Sequence, residues 1–240
     1  MLREQLESVR QRISQAAQRC GRSPAAITLI GVTKGIAVEA IQEAVALGLT
    51  DLGENRVQEA RAKQPAIRGV RWHLIGHLQR NKAADAVELF EVIHSVDSAA
   101  LAETLERHAA TPVRRSDREP GRAHRRGTDV LVQVNVSQEQ TKFGCSLDDA
   151  PALARAVTQL EHLRLIGLMT IAPLTEQAEG ARPHFRRLRL LRDQIQSQLG
   201  VSSLALSMGM SHDFDVAIEE GADLIRVGTA IFGSRVSPRI

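Results

Sequence analysis

Eight short, β-branched-rich apolar runs alternate with longer stretches whose apolar residues recur at helical spacing, and this alternation constrains the 240-residue chain more than any other feature. The runs fall at Thr28 to Thr33, Asp51 to Gly53, Arg71 to Ile75, Val92 to Ser95, Val130 to Asn135, Arg164 to Met169, Ser203 to Leu206 and Leu224 to Val227. A helical pattern opens the chain at Leu2 to Arg19. Others lie at Val38 to Leu47, Arg56 to Ala62, Asn81 to Leu89, Ala99 to Ala109, Leu147 to Gln159, Pro183 to Leu199 and His212 to Glu219. Strict alternation predicts parallel strands joined by helical crossovers, and eight units at this length fit a closed (β/α)8 TIM barrel with an extra N-terminal helix. An open sheet is the alternative, because the second run is short and poorly apolar. No GxGxxG follows the first run and no Walker sequence occurs, which weakens the nucleotide-binding versions of that alternative.

One domain spanning residues 1–240 is expected, since 43% apolar content can fill a single core of this size. Cys20 and Cys145 are far apart and outside any C-x-x-C spacing, so neither a disulfide framework nor a structural zinc site is indicated and a cytoplasmic protein is expected. The charged, helical start is unlike an export signal, and no segment is long and apolar enough to span a bilayer. The formal charge of +3 comes from one place. Residues 111–128 hold six arginines against Asp117 and Glu119, a local +4, so the rest of the chain is slightly acidic. With Pro112, Pro120, Gly121, Gly127 and no aromatic residue for base stacking, this segment reads as a solvated, mobile insertion rather than a nucleic-acid face.

In such barrels chemistry gathers at the carboxyl ends of the strands, and phosphate groups sit on the loops after strands seven and eight. Lys34 leaves the first strand; Arg226 lies in the last, which opens into Gly228-Thr229 and the small apolar Ala230-Ile231-Phe232-Gly233. First and last strands are neighbours in a closed barrel. Lys34 would then share a wall with a cation that never deprotonates, a setting that favours the neutral, nucleophilic amine. The Gly228-Thr229 turn can offer free backbone N–H groups to a phosphate, with the Ser207 hydroxyl in the same region. Taken singly, Lys34 could be an ordinary surface lysine and Ser207 a helix cap. Together these residues can hold a phosphorylated aldehyde as an imine.

Six segments carry a resemblance that runs nearly end to end. They are Val32-Thr33-Lys34, Gly53-Glu54-Asn55-Arg56-Val57-Gln58-Glu59, the stretch Trp72 to Lys82, Gly167-Leu168-Met169, Leu206 to Ser211 and Arg226 to Gly233. The chain resembles the pyridoxal phosphate homeostasis proteins, formerly called proline synthetase co-transcribed proteins. The resemblance implies a barrel like the N-terminal domain of alanine racemase and pyridoxal 5'-phosphate as cofactor. It further implies Lys34 as the Schiff-base lysine, Arg226 against the pyridine nitrogen, and Ser207 with the Gly228 and Thr229 backbone on the phosphate. Asn55 is expected as a donor near Lys34 and Met169 as an apolar contact for the ring. The chain departs from the family's pattern in its long arginine-rich segment and at Ala222-Asp223, where small hydroxyl residues are common.

Two functions fit such a site: a carrier that stores or delivers the cofactor, with transient contact to pyridoxal-phosphate-dependent apoenzymes, or a racemase of low activity. Racemases of this barrel class use a tyrosine from a second domain that also builds their dimer; this chain contains no tyrosine and leaves no room for that domain, so a non-catalytic monomer is expected. Lys142 could offer a second amine at the mouth, or be a solvated loop lysine. His73 is expected to make a structural hydrogen bond and His77 to line the mouth, with no metal among His73, His77 and His94. A protein-interaction module on a degenerate barrel is a third class, without a specific feature in its favour. Gln79, Asn81 and Lys82 carry no assignable role.

Overall fold

A computed structural model describes residues 1–111 and 127–233. The six arginines of the segment expected to be a mobile insertion lie outside the described residues. Eight parallel strands close into a barrel in chain order: β1 (Thr28–Val32), β2 (Asp51–Glu54), β3 (Arg71–Leu74), β4 (Val92–Val96), β5 (Thr128–Gln133), β6 (Leu163–Met169), β7 (Ala205–Met210) and β8 (Leu224–Val227). The ring is closed by β8 pairing in parallel with β1, with Ile30 opposite Arg226 and Gly31 opposite Val227. The poorly apolar second run is therefore a full member of the barrel: Leu52 pairs with Trp72 on one side and Gly31 on the other. The open-sheet alternative is excluded.

Helices follow the strands: α1 (Leu2–Arg19) before the barrel, then α2 (Val38–Ala46), α3 (Val57–Lys63), α4 (Ala83–Leu89), α5 (Ala99–Ala110), α6 (Ala150–Thr158), α7 (Arg182–Leu199), α8 (Phe214–Glu219) and the single turn α9 (Thr229–Phe232). The helix α1 buries Leu6, Val9, Ile13, Ala16 and Ala17, the stripe its spacing predicts, and packs on α8 and α9. Arg12 reaches Asp215 and lies over the Phe214 ring, while Arg19 meets Glu219 at 2.6 Å. Those contacts brace the β7–β8 side, where the Gly228-Thr229 turn lies. Asp223, one of the two departures from the family pattern, stitches the base of the same strands. Its Oδ2 accepts from the Leu206 N–H at 2.8 Å and its Oδ1 from Arg22 at 2.6 Å.

Strand seven differs from the sequence reading, which ended it at Leu206. Ser207-Met208-Gly209-Met210 looks like a turn, yet Met208 is fully buried in the layer between sheet and helices and pairing with β8 continues to Met210 through a shift of register. Gly209 has a φ of +91°, and a Cβ there would come within 2.6 Å of the Ala217 side chain, so only glycine lets α8 pack this closely. Ser207 thus sits inside the strand rather than beyond it.

Nearly all apolar bulk lies between the sheet and its helices. The lumen is different. A small apolar cluster of Val92, Leu131 and Met169, with Ile166 against it, fills one part. Ile30 and Ile75, also buried and outside the main cluster, lie beside Gly53 in another, and polar side chains occupy a further part, where barrels of this kind ordinarily stack branched aliphatic side chains.

Candidate functional site

Five inward-facing residues form one chain of hydrogen bonds across the lumen. Asp51 on β2 meets His73 Nε2 at 2.9 Å, His73 Nδ1 meets His94 Nε2 on β4 at 2.9 Å, His94 Nδ1 meets Ser207 Oγ on β7 at 2.9 Å, and Arg226 on β8 donates to Ser207 Oγ at 2.6 Å. Strands β4 and β7 are not neighbours, so the His94–Ser207 bond crosses the lumen itself. Arg226 also donates to the Thr170 carbonyl at 2.7 Å, and at the other end Arg71 donates to Asp51 at 2.6 Å.

The direction of every proton follows from the two ends. Asp51 can only accept, so a neutral His73 carries its proton on Nε2 and accepts at Nδ1; at the other end Arg226 can only donate, so Ser207 Oγ accepts from it and gives its own proton to His94 Nδ1. His94 then carries its proton on Nε2 and gives it to His73 Nδ1, which leaves His73 Nε2–H for the Asp51 carboxylate. Both imidazoles are neutral in this arrangement. Burial, above all, pushes the pKa of each below the ordinary value, with the neighbouring His73, then Arg226, adding to the effect at His94; for His73 the Asp51 contacts oppose the fall without reversing it. Burial alone would raise Asp51, but hydrogen bonding and charge from His73, then the charge of Arg71, bring it down to about 2. Burial likewise lowers Arg226 to about 10, which still leaves it a cation at neutral pH.

This arrangement corrects one expectation. Ser207 is fully buried, with its hydroxyl committed to Arg226 and His94, and does not face the turn after β8. The hydroxyl at that turn is Ser211, whose Oγ accepts from the Gly228 N–H at 3.1 Å and the Ala230 N–H at 3.3 Å. Two backbone donors therefore converge on one oxygen, the geometry a phosphate oxygen needs. Gly228 is closely approached by β1: a Cβ there would lie 3.3 Å from Val32 Cβ. Thr229, in the turn itself, is exposed.

Lys34 lies two residues beyond β1, half-buried, and its amine makes no hydrogen bond or ion pair with the described residues. Its backbone is held instead. Lys63 on α3 donates to the Thr33 carbonyl at 2.7 Å and Glu59 accepts from the Gly35 N–H at 2.9 Å. Asn55 is half-buried, its amide unpartnered among the described residues, and its backbone presses on β3: a Cβ at Gly76 would lie 2.3 Å from the Asn55 carbonyl oxygen, so no larger residue fits. Met169 does not reach the mouth as expected. It is wholly buried in the lumen's apolar cluster and offers no surface to a ligand.

His77 stacks on Phe143, ring centroids 3.8 Å apart, and so ties the mouth to the loop after β5. Lys142, next to Phe143, is 3.5 Å from Glu139, and Asn135 Nδ2 donates to the carbonyls of Glu139 and Lys142. Among the described residues, no group of three or more His, Cys, Asp or Glu could hold a metal ion, and no helix is long and apolar enough to cross a membrane.

A free amine, a donor-only guanidinium and a converging N–H pair form a donor set suited to an aldehyde, a basic ring nitrogen and a phosphate. Comparison with known proteins agrees. Residues 5–236 match the family model described as alanine racemase, N-terminal domain. The chain is 40% identical over 234 residues to the pyridoxal phosphate homeostasis protein of Aquifex aeolicus, covering 97% of each chain. It is 42% identical over 236 residues to the protein of that name from Pseudomonas aeruginosa, covering 97% of this chain and 95% of the other. Among solved structures it resembles PipY of Synechococcus elongatus with PLP bound, at 38% identity and a TM-score of 0.79, covering 97% of this chain and all of that one.

Proposed function

The chain belongs to the pyridoxal phosphate homeostasis proteins of the alanine racemase N-terminal-domain family, and from that premise we propose that it holds pyridoxal 5'-phosphate at the barrel mouth for storage or delivery, anchored on Lys34, without efficient catalysis. When bound, the cofactor supplies an aldehyde that condenses with a primary amine, the carbonyl oxygen leaving as water. The observation that carries this reading is the pairing of β1 with β8: just past one strand an amine without a partner among the described residues and, on its neighbour, a buried guanidinium followed by two convergent N–H groups.

Each residue has one task in this reading. Lys34 provides the amine. Gly228, Ala230 and Ser211 bind the phosphate, with the Thr229 backbone beside them. Asn55 is a polar neighbour of the lysine turn. Arg226 faces the ring nitrogen as a donor that gives no proton away, so the ring stays unprotonated and a poor electron sink. That argues for a holder rather than an efficient racemase. Ser207 and His94 keep Arg226 in place from behind. Lys142, on the loop tied down by the His77–Phe143 stack, is placed in this reading as a second amine that can take up the aldehyde during transfer to a recipient apoenzyme, and the protein acts as a monomer in the cytoplasm.

An absorbance titration of the purified protein with pyridoxal phosphate, followed by incubation with L-alanine, tests both halves. A saturable visible band at one equivalent and no build-up of D-alanine are expected. A protein that stays colourless contradicts the binding site; steady racemisation contradicts the carrier reading.

A further inference from the structure

We propose that Glu54, Glu59 and Lys63 form a positioning clamp on the turn that carries Lys34, so that charges outside the lumen set how readily the amine at its mouth captures its aldehyde. The inference deepens the reading above and rests on it. Glu54 and Glu59 belong to a sequence motif for which the barrel mouth has no use: their side chains take no part in the lumen chain or in the phosphate turn.

The contacts converge on three consecutive residues. Lys63 Nζ donates to the Thr33 carbonyl and to Glu54 Oε1, both at 2.7 Å, and lies 3.4 Å from Glu59 Oε2. Thr33 Oγ1 donates to Glu54 Oε1 at 2.7 Å, and the Thr33 N–H to the Gly53 carbonyl at 3.0 Å. Gly35, in the left-handed region with a φ of +68°, gives its N–H to Glu59 at 2.9 Å. The peptide groups on both sides of Lys34 are therefore held while the side chain between them is left free.

Such a group is an expensive way to obtain stability. Glu54 is fully buried and Lys63 nearly so, and a buried ion pair returns its desolvation cost only when every polar atom is partnered. Here Glu54 Oε2 has no partner among the described residues. What the group does provide is a fixed backbone beneath a mobile amine, which lowers the ordering cost of bringing that amine to a bound aldehyde.

The test is the rate at which the full-length protein gains its visible band on mixing with pyridoxal phosphate, compared with competition by inorganic phosphate, which reports on the β8 turn alone. In Lys63→Met and Thr33→Val, capture is expected to slow tenfold or more while competition by phosphate stays unchanged; Thr33→Ser should restore the rate. Glu59→Gln, at a partly exposed position that leaves the fold intact, is expected to slow capture about threefold and decides the matter if Lys63→Met fails to fold. Folded variants that capture at the normal rate overturn the clamp, even if they melt earlier. A parent protein that captures nothing at Lys34 overturns the underlying reading instead.

Discussion

Lys34 and Arg226 leave neighbouring strands, and the protein treats the two cations in opposite ways. Arg226 is buried, donates to the Ser207 hydroxyl and the Thr170 carbonyl, and is backed by a chain of hydrogen bonds that crosses the lumen to His94 and ends on the Asp51 carboxylate of β2. Lys34 has its backbone fixed and its amine without a partner among the described residues. One cation is enclosed in partners, whereas the other is held only at its root. The β8 side of the mouth is thus preformed, and the β1 side leaves an amine free for the role proposed for it.

Removing the enclosed cation should have the largest effect. Arg226→Leu leaves the Thr170 carbonyl unpaired, takes one partner from Ser207 and strips the lumen chain of its positive end; a loss of about 3 to 5 kcal/mol in chemical denaturation is expected. A loss below about 1 kcal/mol would mean the β8 side is not the rigid half.

Acid comes next. Both histidines have folded-state pKa values below the unfolded value, so the unfolded chain gains protons that the native protein refuses. Their contribution is complete above about pH 7 and falls away as pH drops below about 6.5. Between pH 7 and 5.5 the two sites together should lower stability, by no more than about 3 kcal/mol. Asp51, depressed to about 2, adds a further loss only below about pH 4. In His94→Gln the step between pH 7 and 5.5 should shrink. An unchanged step would show that His94 takes up its proton as readily in the folded protein as in the unfolded chain.

The smallest effect concerns the phosphate turn. Ser211→Ala removes one neutral hydroxyl, about 1 kcal/mol, and should weaken competition by inorganic phosphate about fivefold without changing which lysine is modified. If Ser211→Ala binds phosphate as well as the parent does, the turn is not the phosphate site.

Much of this was legible before any coordinates. The run Leu224 to Val227 is a strand with unchanged bounds, α1 begins and ends where its apolar stripe does, and closure of the barrel followed from counting alternations. Lys34, Arg226 and Gly228 were marked by their places at the ends of the first and last strands. What periodicity could not supply was the inside of the barrel. Ser207 looked like a residue beyond a strand because serine and glycine signal turns, whereas a register shift carries β7 on to Met210 and turns its hydroxyl inward. The hydroxyl that does meet the Gly228 turn, Ser211, lies four residues further on in the same motif. His73 and His94 could be seen at strand ends, but no spacing rule says that two histidines on adjacent strands will share a proton path with a serine on the opposite wall. The place of Met169 at the end of β6 suggests a ring contact, yet inward-facing apolar residues at that level pack against one another.

The difference between the two cations is tested most directly by treating the complex with pyridoxal phosphate with borohydride and mapping the modified peptide by mass spectrometry. A single phosphopyridoxyl group on Lys34, absent from Lys34→Ala, is the expected result. Modification at Lys63 or Lys142 in its place, or a protein that carries no label after reduction, would contradict it.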